Sequence, residues 1–361
     1  MGYVIDTSSH MSAYLQLYQK IKEDIIKGSF PYNSKLPSKR VMAAESGVST
    51  VTVEHTYALL CDEGYIEARE RSGFFVIFRA DDGFAATPVK TERRFSNTPP
   101  HDLPGFPLTV LTRTMRRVIS EYGSAILEKS PNSGCVELRE AISQYLARNR
   151  GIKAETDQII IGSGAEYLYS LIVGTLGRQR TFAIESPSYE KIEQVYRSAG
   201  IQCELLPLDS DGIESQALSD TNATVLHISP YRSYPTGITA SASKRHEYIR
   251  WAGRGDRFIV EDDFESEFSV SSKPVETLFS TSKDDNIIYL NTFSKTVSSS
   301  LRVGYMVLPH CLVKDFNEKL GFYSCTVPTF EQIVLAELIL SGDFERHINR
   351  VRRNKRRSLN K

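Results

Sequence analysis

"NIIYLNTFSKTVSSSLRVGYMVLP" spans residues 286–309. Two apolar runs bracket a hydroxyl-rich segment that carries Lys295 and Arg302. The runs have the length and composition of short buried strands. Four more precede them: QIIIGS from 158, TFAIES from 181, TVLHIS from 224 and FIVED from 258. Helical stretches separate these runs, which predicts a mostly parallel α/β sheet. Ligands of such sheets sit beyond the carboxyl ends of the strands, and Lys295 falls at one of those ends. By itself, a lysine among serines usually reads as solvated surface.

The chain has 361 residues, more than one ordinary core accommodates, so two or more domains are expected. Hydrophobic residues make up 40% and charged residues 24%, the composition of a globular protein. Lys plus Arg and Asp plus Glu balance at 44 each, so a nucleic-acid contact has to come from a local patch. Cys61, Cys135, Cys203, Cys311 and Cys325 are odd in number and lack metal spacing, which predicts reduced thiols and no zinc site. No apolar run approaches the roughly 18 residues that span a bilayer. The start of the chain lacks the basic and apolar regions of a signal peptide. A cytoplasmic protein without membrane contact is expected.

Composition divides the sequence into residues 1–79, a linker at 80–100 with three prolines and few large aliphatics, and residues 101–361. In the first block Leu15, Tyr18, Ile21, Ile25 and Ile26 recur at helical spacing before Gly28. Ser38 is a natural cap for a second helix and Ser49 for a third, whose Val53, Tyr57 and Leu60 face inward. Gly47 lies in the turn between them. YIEARERSGFFVIF (65–78) reads as two strands around a basic, glycine-containing turn. The pattern predicts a winged helix-turn-helix, although a small helical bundle with a hairpin fits it too. Nine basic residues face eight acidic ones between 12 and 79. Lys35, Lys39 and Arg40 nevertheless cluster at the second helix, and Arg69 and Arg71 flank the turn, where phosphate contacts position a recognition helix.

LPSKR (36–40), GVSTVTV (47–53), EGYIEA (63–68) and SGFFV (72–76) resemble the GntR-family winged helix over the whole block. The resemblance implies an operator in double-stranded DNA as partner, met by Ser38, Lys39, Arg40, Ser49, Thr50, Thr52, Arg71 and Gly73. Thr50 stands where that family usually has arginine, which removes one expected contact.

In the second block the residue types match the needs of pyridoxal 5′-phosphate: an amine for its aldehyde, an acid for the ring nitrogen, donors for the phosphate and an aromatic face. Lys295 offers the amine, and Thr292, Ser294 and Arg302 offer phosphate donors. Asp262 ends the FIVED run, and a buried carboxylate there favours a charged ring nitrogen. Ser163, Gly164 and Ala165 lie in a strand–turn–helix start whose amides face an anion. Tyr189 and Tyr234 are loop tyrosines. Each piece alone has an ordinary reading as a cap or surface group, and the Gly-Ser-Gly turn is too short for a dinucleotide fingerprint.

Their order is more specific. SGCVELREAISQYLARNRGI (133–152), QIIIGSGAE, IESPSY, SPYRSYPTG (229–237), IVEDDFESEF, TFSKTVSSSLRVGY and GDFERHINRVRR (342–353) resemble the aminotransferase-like domain of MocR-type regulators. Those proteins fuse a GntR winged helix to a fold-type-I pyridoxal-phosphate module. The resemblance implies an α/β major domain of that fold with an N-terminal winged helix-turn-helix. It makes Lys295 the Schiff-base lysine, Asp262 the partner of the ring nitrogen and Tyr189 the stacking ring. Thr292, Ser294, Arg302 and the Ser163–Ala165 turn become the phosphate holders. It further implies a head-to-tail homodimer and an amine or amino-acid effector.

Departures are visible. Phe264 replaces a tyrosine that bonds the 3′ oxygen, a task left to Tyr234. Arg232-Ser233 replace His-Gln, and Ser298–Ser300 replace a Pro-Gly stretch. Related chains continue beyond this point into a small C-terminal subdomain that grips the substrate carboxylate in aminotransferases, so an incomplete domain without catalysis is expected. The final RHINRVRRNKRRSLNK (346–361) carries eight Lys and Arg and reads as a solvated helix face or a nucleic-acid tail. A regulator that senses pyridoxal phosphate is therefore expected. The alternatives are a DNA-binding protein with a cofactor-free dimerisation domain, and an active aminotransferase.

Overall fold

The computed structural model describes residues 2–6, 9, 11–70, 72–79, 105–263, 266–268 and 276–359. Two compact units divide the chain, residues 1–97 and 98–361. The expected linker lies outside the described residues.

The first unit runs α1 (Ala13–Ile26), α2 (Lys39–Ser46), α3 (Thr50–Asp62), β1 (Ile66–Arg69) and β2 (Gly73–Val76). Ser38 starts α2 by accepting the Val41 amide, and Ser49 starts α3 by accepting the Thr52 amide. Gly47 ends α2 with φ 65°, the left-handed region in which glycine carries no Cβ penalty. β1 and β2 pair antiparallel, Ile66 opposite Val76, to form the wing. Val53, Tyr57 and Leu60 face the core with Tyr18, Ile21 and Ile25. Leu17, not Leu15, completes the α1 face, and Ile26 is exposed. Leu17 and Ile21 lie one turn apart on the stripe that meets α3, whereas Leu15 lies at its margin.

The second unit begins with α4 (Leu108–Tyr122), α5 (Val136–Asn149), β3 (Ile159–Gly162), α6 (Ala165–Leu176), β4 (Thr181–Ser186) and α7 (Glu190–Ser198). It continues through β5 (Gln202–Asp209), β6 (Gly212–Ile213), α8 (Ser215–Asp220), β7 (Val225–Ile228), α9 (Ala242–Ala252), β8 (Phe258–Asp262) and α10 (Leu278–Thr281). β9 (Ile287–Thr292), β10 (Gly304–Val307), α11 (His310–Leu320), α12 (Thr329–Leu340) and α13 (Asp343–Leu359) complete it.

Eight strands form one sheet in the order β3-β10-β9-β8-β7-β4-β5-β6. β9, β8, β7, β4 and β5 are parallel, β10 runs antiparallel to both neighbours, and β6 pairs antiparallel with β5 at the edge. The side-chain period of two sends alternate residues to opposite cores. Ile159, Ile161, Tyr289, Tyr305 and Val307 pack with α4, α5, α12 and α13. Ile160, Ile288, Leu290 and Met306 pack with α6, α7 and α11. With helices on both faces the strands other than β5 are largely buried, which is why six of them read as continuous apolar runs. Each of the six runs quoted from the sequence contains one of these strands.

The helical basic end is α13. Phe344, Ile348 and Val351 are buried beneath it, while Arg346, Arg350, Arg353 and Arg357 share an exposed stripe.

Candidate ligand cavity and DNA-binding face

Several strands of the second unit deliver their carboxyl ends to one cavity of about 370 Å³, within the usual range for small-molecule sites. Ala165, Tyr189, Tyr234, Asp262, Thr292, Ser294, Lys295 and Arg302 all line it. Residues separated by up to 137 positions in the chain thus meet at one place.

Asp262 closes the cavity floor at the end of β8. Its Oδ2 accepts the Tyr169 hydroxyl at 2.5 Å, and Nε2 of His227 lies 3.5 Å away, beyond good hydrogen-bond geometry. His227 Nδ1 meets the Tyr196 hydroxyl at 2.7 Å. The carboxylate is therefore oriented from behind by Tyr169 of α6. The neighbouring Asp263 points away from the cavity into a buried ion pair with Arg150 and accepts the Tyr289 hydroxyl. Glu261 likewise points away from the cavity, accepting the Tyr231 hydroxyl and the amides of Leu278 and Phe279. Of three consecutive acids, only Asp262 faces the ligand space.

Lys295 stands on the turn after β9, between the cavity and solvent. Arg302 closes that turn with φ 49°, a left-handed conformation uncommon for a residue with a side chain. Its guanidinium lies over the turn that opens α6. A Cβ added to Gly164, itself at φ 91°, would approach Arg302 Nη2 to 3.0 Å, so glycine is what permits this stacking. Ser163 and Gly164, expected among the phosphate holders, do not reach the cavity wall. The Ser163 amide donates to Thr326 Oγ1 at 3.2 Å, and Gly164 is covered by Arg302.

Tyr189 and Tyr234 sit edge to face, 6.1 Å between centroids, at the mouth. Phe264 lies outside the described residues. Ser233 is buried and donates to Glu185 at 2.8 Å. Ser298 and Ser300 bond each other through their hydroxyls.

Sequence reasoning missed Glu166, Tyr169, Glu185, Glu267 and Asn291, all on the cavity wall. Burial pushes the Glu185 carboxyl up to about 7, against the stabilising bond from Ser233. Burial and the nearby Asp263 also raise Glu267, whose carboxylate accepts Asn291 Nδ2 at 2.6 Å. Glu166 pairs with Arg302 and, at 2.9 Å, with Lys191. The acidic GAE turn was the only signal for it in the sequence.

Tested against pyridoxal phosphate, the donor set fits. The cavity holds an amine, an oriented carboxylate, two hydroxyls, a helix N-terminus, a guanidinium packed on a bare glycine, and an aromatic ring at the mouth. One group runs against it: Glu166 already occupies the guanidinium.

In the winged unit the residues singled out gather at the starts of α2 and α3 and on the wing. Arg40 and Thr50 are exposed. Lys39 is held by Glu54 on α3 at 2.6 Å. The Ser49 and Thr52 hydroxyls lie 2.9 Å apart and cap the helix together, so their oxygens already serve the fold. Gly73 has φ 106°, and a Cβ there would meet Lys35 Cε at 3.0 Å, which brings Lys35 against the wing turn. Arg69 pairs with Glu67 and covers the Phe75 ring. Val51, 57% exposed on α3, is an apolar side chain that sequence reading passed over. Arg71 lies outside the described residues.

Residues 96–359 match the family "Aminotransferase class I and II", and residues 13–76 match "Bacterial regulatory proteins, gntR family". The uncharacterized HTH-type transcriptional regulator YdeL of Bacillus subtilis is 31% identical over 94% of this chain and 76% of its own length. The chain belongs to the MocR-type regulators. The probable rhizopine catabolism regulatory protein MocR of Rhizobium meliloti is 27% identical to this regulator, over 97% of the chain and 76% of its own. Among solved structures, the kynurenine aminotransferase of Pyrococcus horikoshii, in complex with PMP, superposes with TM-score 0.62 at 25% identity. That match covers 70% of the regulator and 66%, just under two thirds, of the enzyme. The second unit has the fold-type-I aminotransferase architecture. Among the described residues, no helix is long and apolar enough to cross a membrane.

Proposed function

We propose that this regulator binds operator DNA through residues 12–79 and takes up pyridoxal 5′-phosphate, or its adduct with an amine, as effector through Lys295. The observation that carries the reading is the convergence of Lys295, Asp262 and Arg302 on one cavity in a chain that also holds a winged helix.

When bound, the cofactor supplies an aldehyde that an amine can capture covalently. Lys295 is the amine in reach of the cavity. Asp262, fixed by the Tyr169 hydroxyl, would favour the protonated form of the ring nitrogen. Arg302, Thr292, Ser294 and the Ala165 amide at the start of α6 receive the phosphate. Tyr189 covers the ring, and Tyr234 is the hydroxyl offered to the 3′ oxygen. Ligand occupancy then biases the arrangement of two winged units in a dimer.

The test is a titration of the purified chain with pyridoxal phosphate, followed by visible absorbance and by operator binding. The expected result is absorbance lost in Lys295→Ala, and an operator affinity that changes with ligand in the wild type alone. Operator binding indifferent to the ligand, with no Lys295-dependent absorbance, points instead to a cofactor-free dimerisation domain.

A further inference from the structure

Arg302 is not simply a phosphate-binding arginine awaiting its anion. Its guanidinium is paired with Glu166, the second residue of α6, and the other carboxylate oxygen of Glu166 binds Lys191 on α7 at 2.9 Å. The three groups form a chain, Arg302–Glu166–Lys191, with the carboxylate in the middle. Glu166 and Arg302 both line the cavity, and Lys191 is absent from its wall. A carboxylate held on the guanidinium already satisfies a donor that a phosphate would use. Two anions cannot share it, because like charges in hydrogen-bond range repel strongly.

From this arrangement we propose that Glu166 is an internal competitor for the phosphate subsite, which gives up Arg302 and stays on Lys191 when a phosphorylated ligand enters. Arg302 keeps its place during the exchange, since it is packed on Gly164, while Lys191, on an exposed position of α7, gives the displaced carboxylate a second partner. Glu166 thereby sets how much of the ligand's affinity comes from its phosphate. The inference rests on the cavity receiving pyridoxal phosphate as proposed above.

Binding of pyridoxal phosphate is compared with binding of pyridoxal, which has the same ring and aldehyde and no phosphate, using the full chain and Glu166→Gln, Lys191→Ala and the double variant. The readout is dissociation constants from protein fluorescence, with circular dichroism checking that each variant is folded. Glu166→Gln is expected to raise the preference for pyridoxal phosphate over pyridoxal by about fivefold or less, the range of a partly exposed ion pair. Lys191→Ala lowers that preference, because the displaced carboxylate has no second partner. In the double variant the Lys191 effect disappears, which separates relay through Glu166 from direct contact between Lys191 and phosphate.

A lower or unchanged preference in folded Glu166→Gln overturns the inference and leaves the cofactor reading standing. An undiminished Lys191 effect in the double variant also overturns it. If neither the wild type nor Glu166→Gln binds either compound, the cofactor reading fails and the inference fails with it.

Discussion

Between residues 12 and 79 the buried polar side chains, tyrosines aside, are the hydroxyls of Ser46 and Thr56 among the described residues. The sheet unit, by contrast, buries Arg150, Glu185, Glu261, Asp262, Asp263 and Glu267 around the ends of β4, β8 and β9. The winged unit keeps its charges on the outside, where water screens them and a phosphate backbone can replace their partners. The sheet unit carries charge inward despite the desolvation cost. That difference separates a surface that recognises a polymer from a cavity that encloses a small molecule. Both units nevertheless hold a candidate phosphate cation on a carboxylate of their own: Lys39 on Glu54, and Arg302 on Glu166.

The contrast breaks most visibly at Arg150. Arg150→Leu leaves Asp263 buried without its cation, which costs about 3–5 kcal/mol. Urea unfolding should show the loss in the second unit, and Arg150→Leu with Asp263→Leu should recover much of it.

Glu185 comes next. Its carboxyl in the fold titrates at about 7, above the ordinary 4.5. The folded unit thus retains a proton that the unfolded chain releases. The associated stability is complete below about 4.5 and is lost as pH rises through about 7. Melting temperatures should fall from pH 5 to pH 8. Glu185→Gln, neutral throughout, should flatten that fall by removing on the order of 2 kcal/mol of the pH-dependent stability. Glu261 and Glu267, also raised by burial, keep the remainder.

In the winged unit the corresponding perturbations are smaller. Ser49→Ala removes the cap of α3 and should cost about 1 kcal/mol in that unit, seen as a lower urea midpoint with an unchanged slope. Smallest is Glu54→Gln. Releasing Lys39 from an exposed pair is a small effect, so operator affinity should tighten by about fivefold or less, measured by gel shift at fixed salt.

Most of the sheet was legible because strands covered on both faces appear as uninterrupted apolar runs. β5 escaped notice for the opposite reason: QCELLPLD is mostly accessible, interrupted by Pro207 and paired only with short β6 on its outer side. Both helix caps in the winged unit were readable, since a cap is local chemistry. In the cavity, groups at strand ends and turns were found, whereas Tyr169 and Glu185 were not. Their roles depend on which strand lies beside which, and β10 inserted between β3 and β9 leaves no mark in the sequence. Glu166 was hidden differently. An acid in the first turn of a helix satisfies the helix dipole and invites no other explanation until Arg302 is seen against it.

The β9–β10 pairing has a consequence for recombination. Thr292 is opposite Gly304 in the ladder, so residues 293–303 form a closed loop between two strands of fixed register. Ser294, Lys295 and Arg302 travel together on that loop, and the sheet holds both of its ends in place. Exchanging it for the matching loop of a relative would transplant amine, hydroxyl and guanidinium as one cassette, with the strand register as its two splice points.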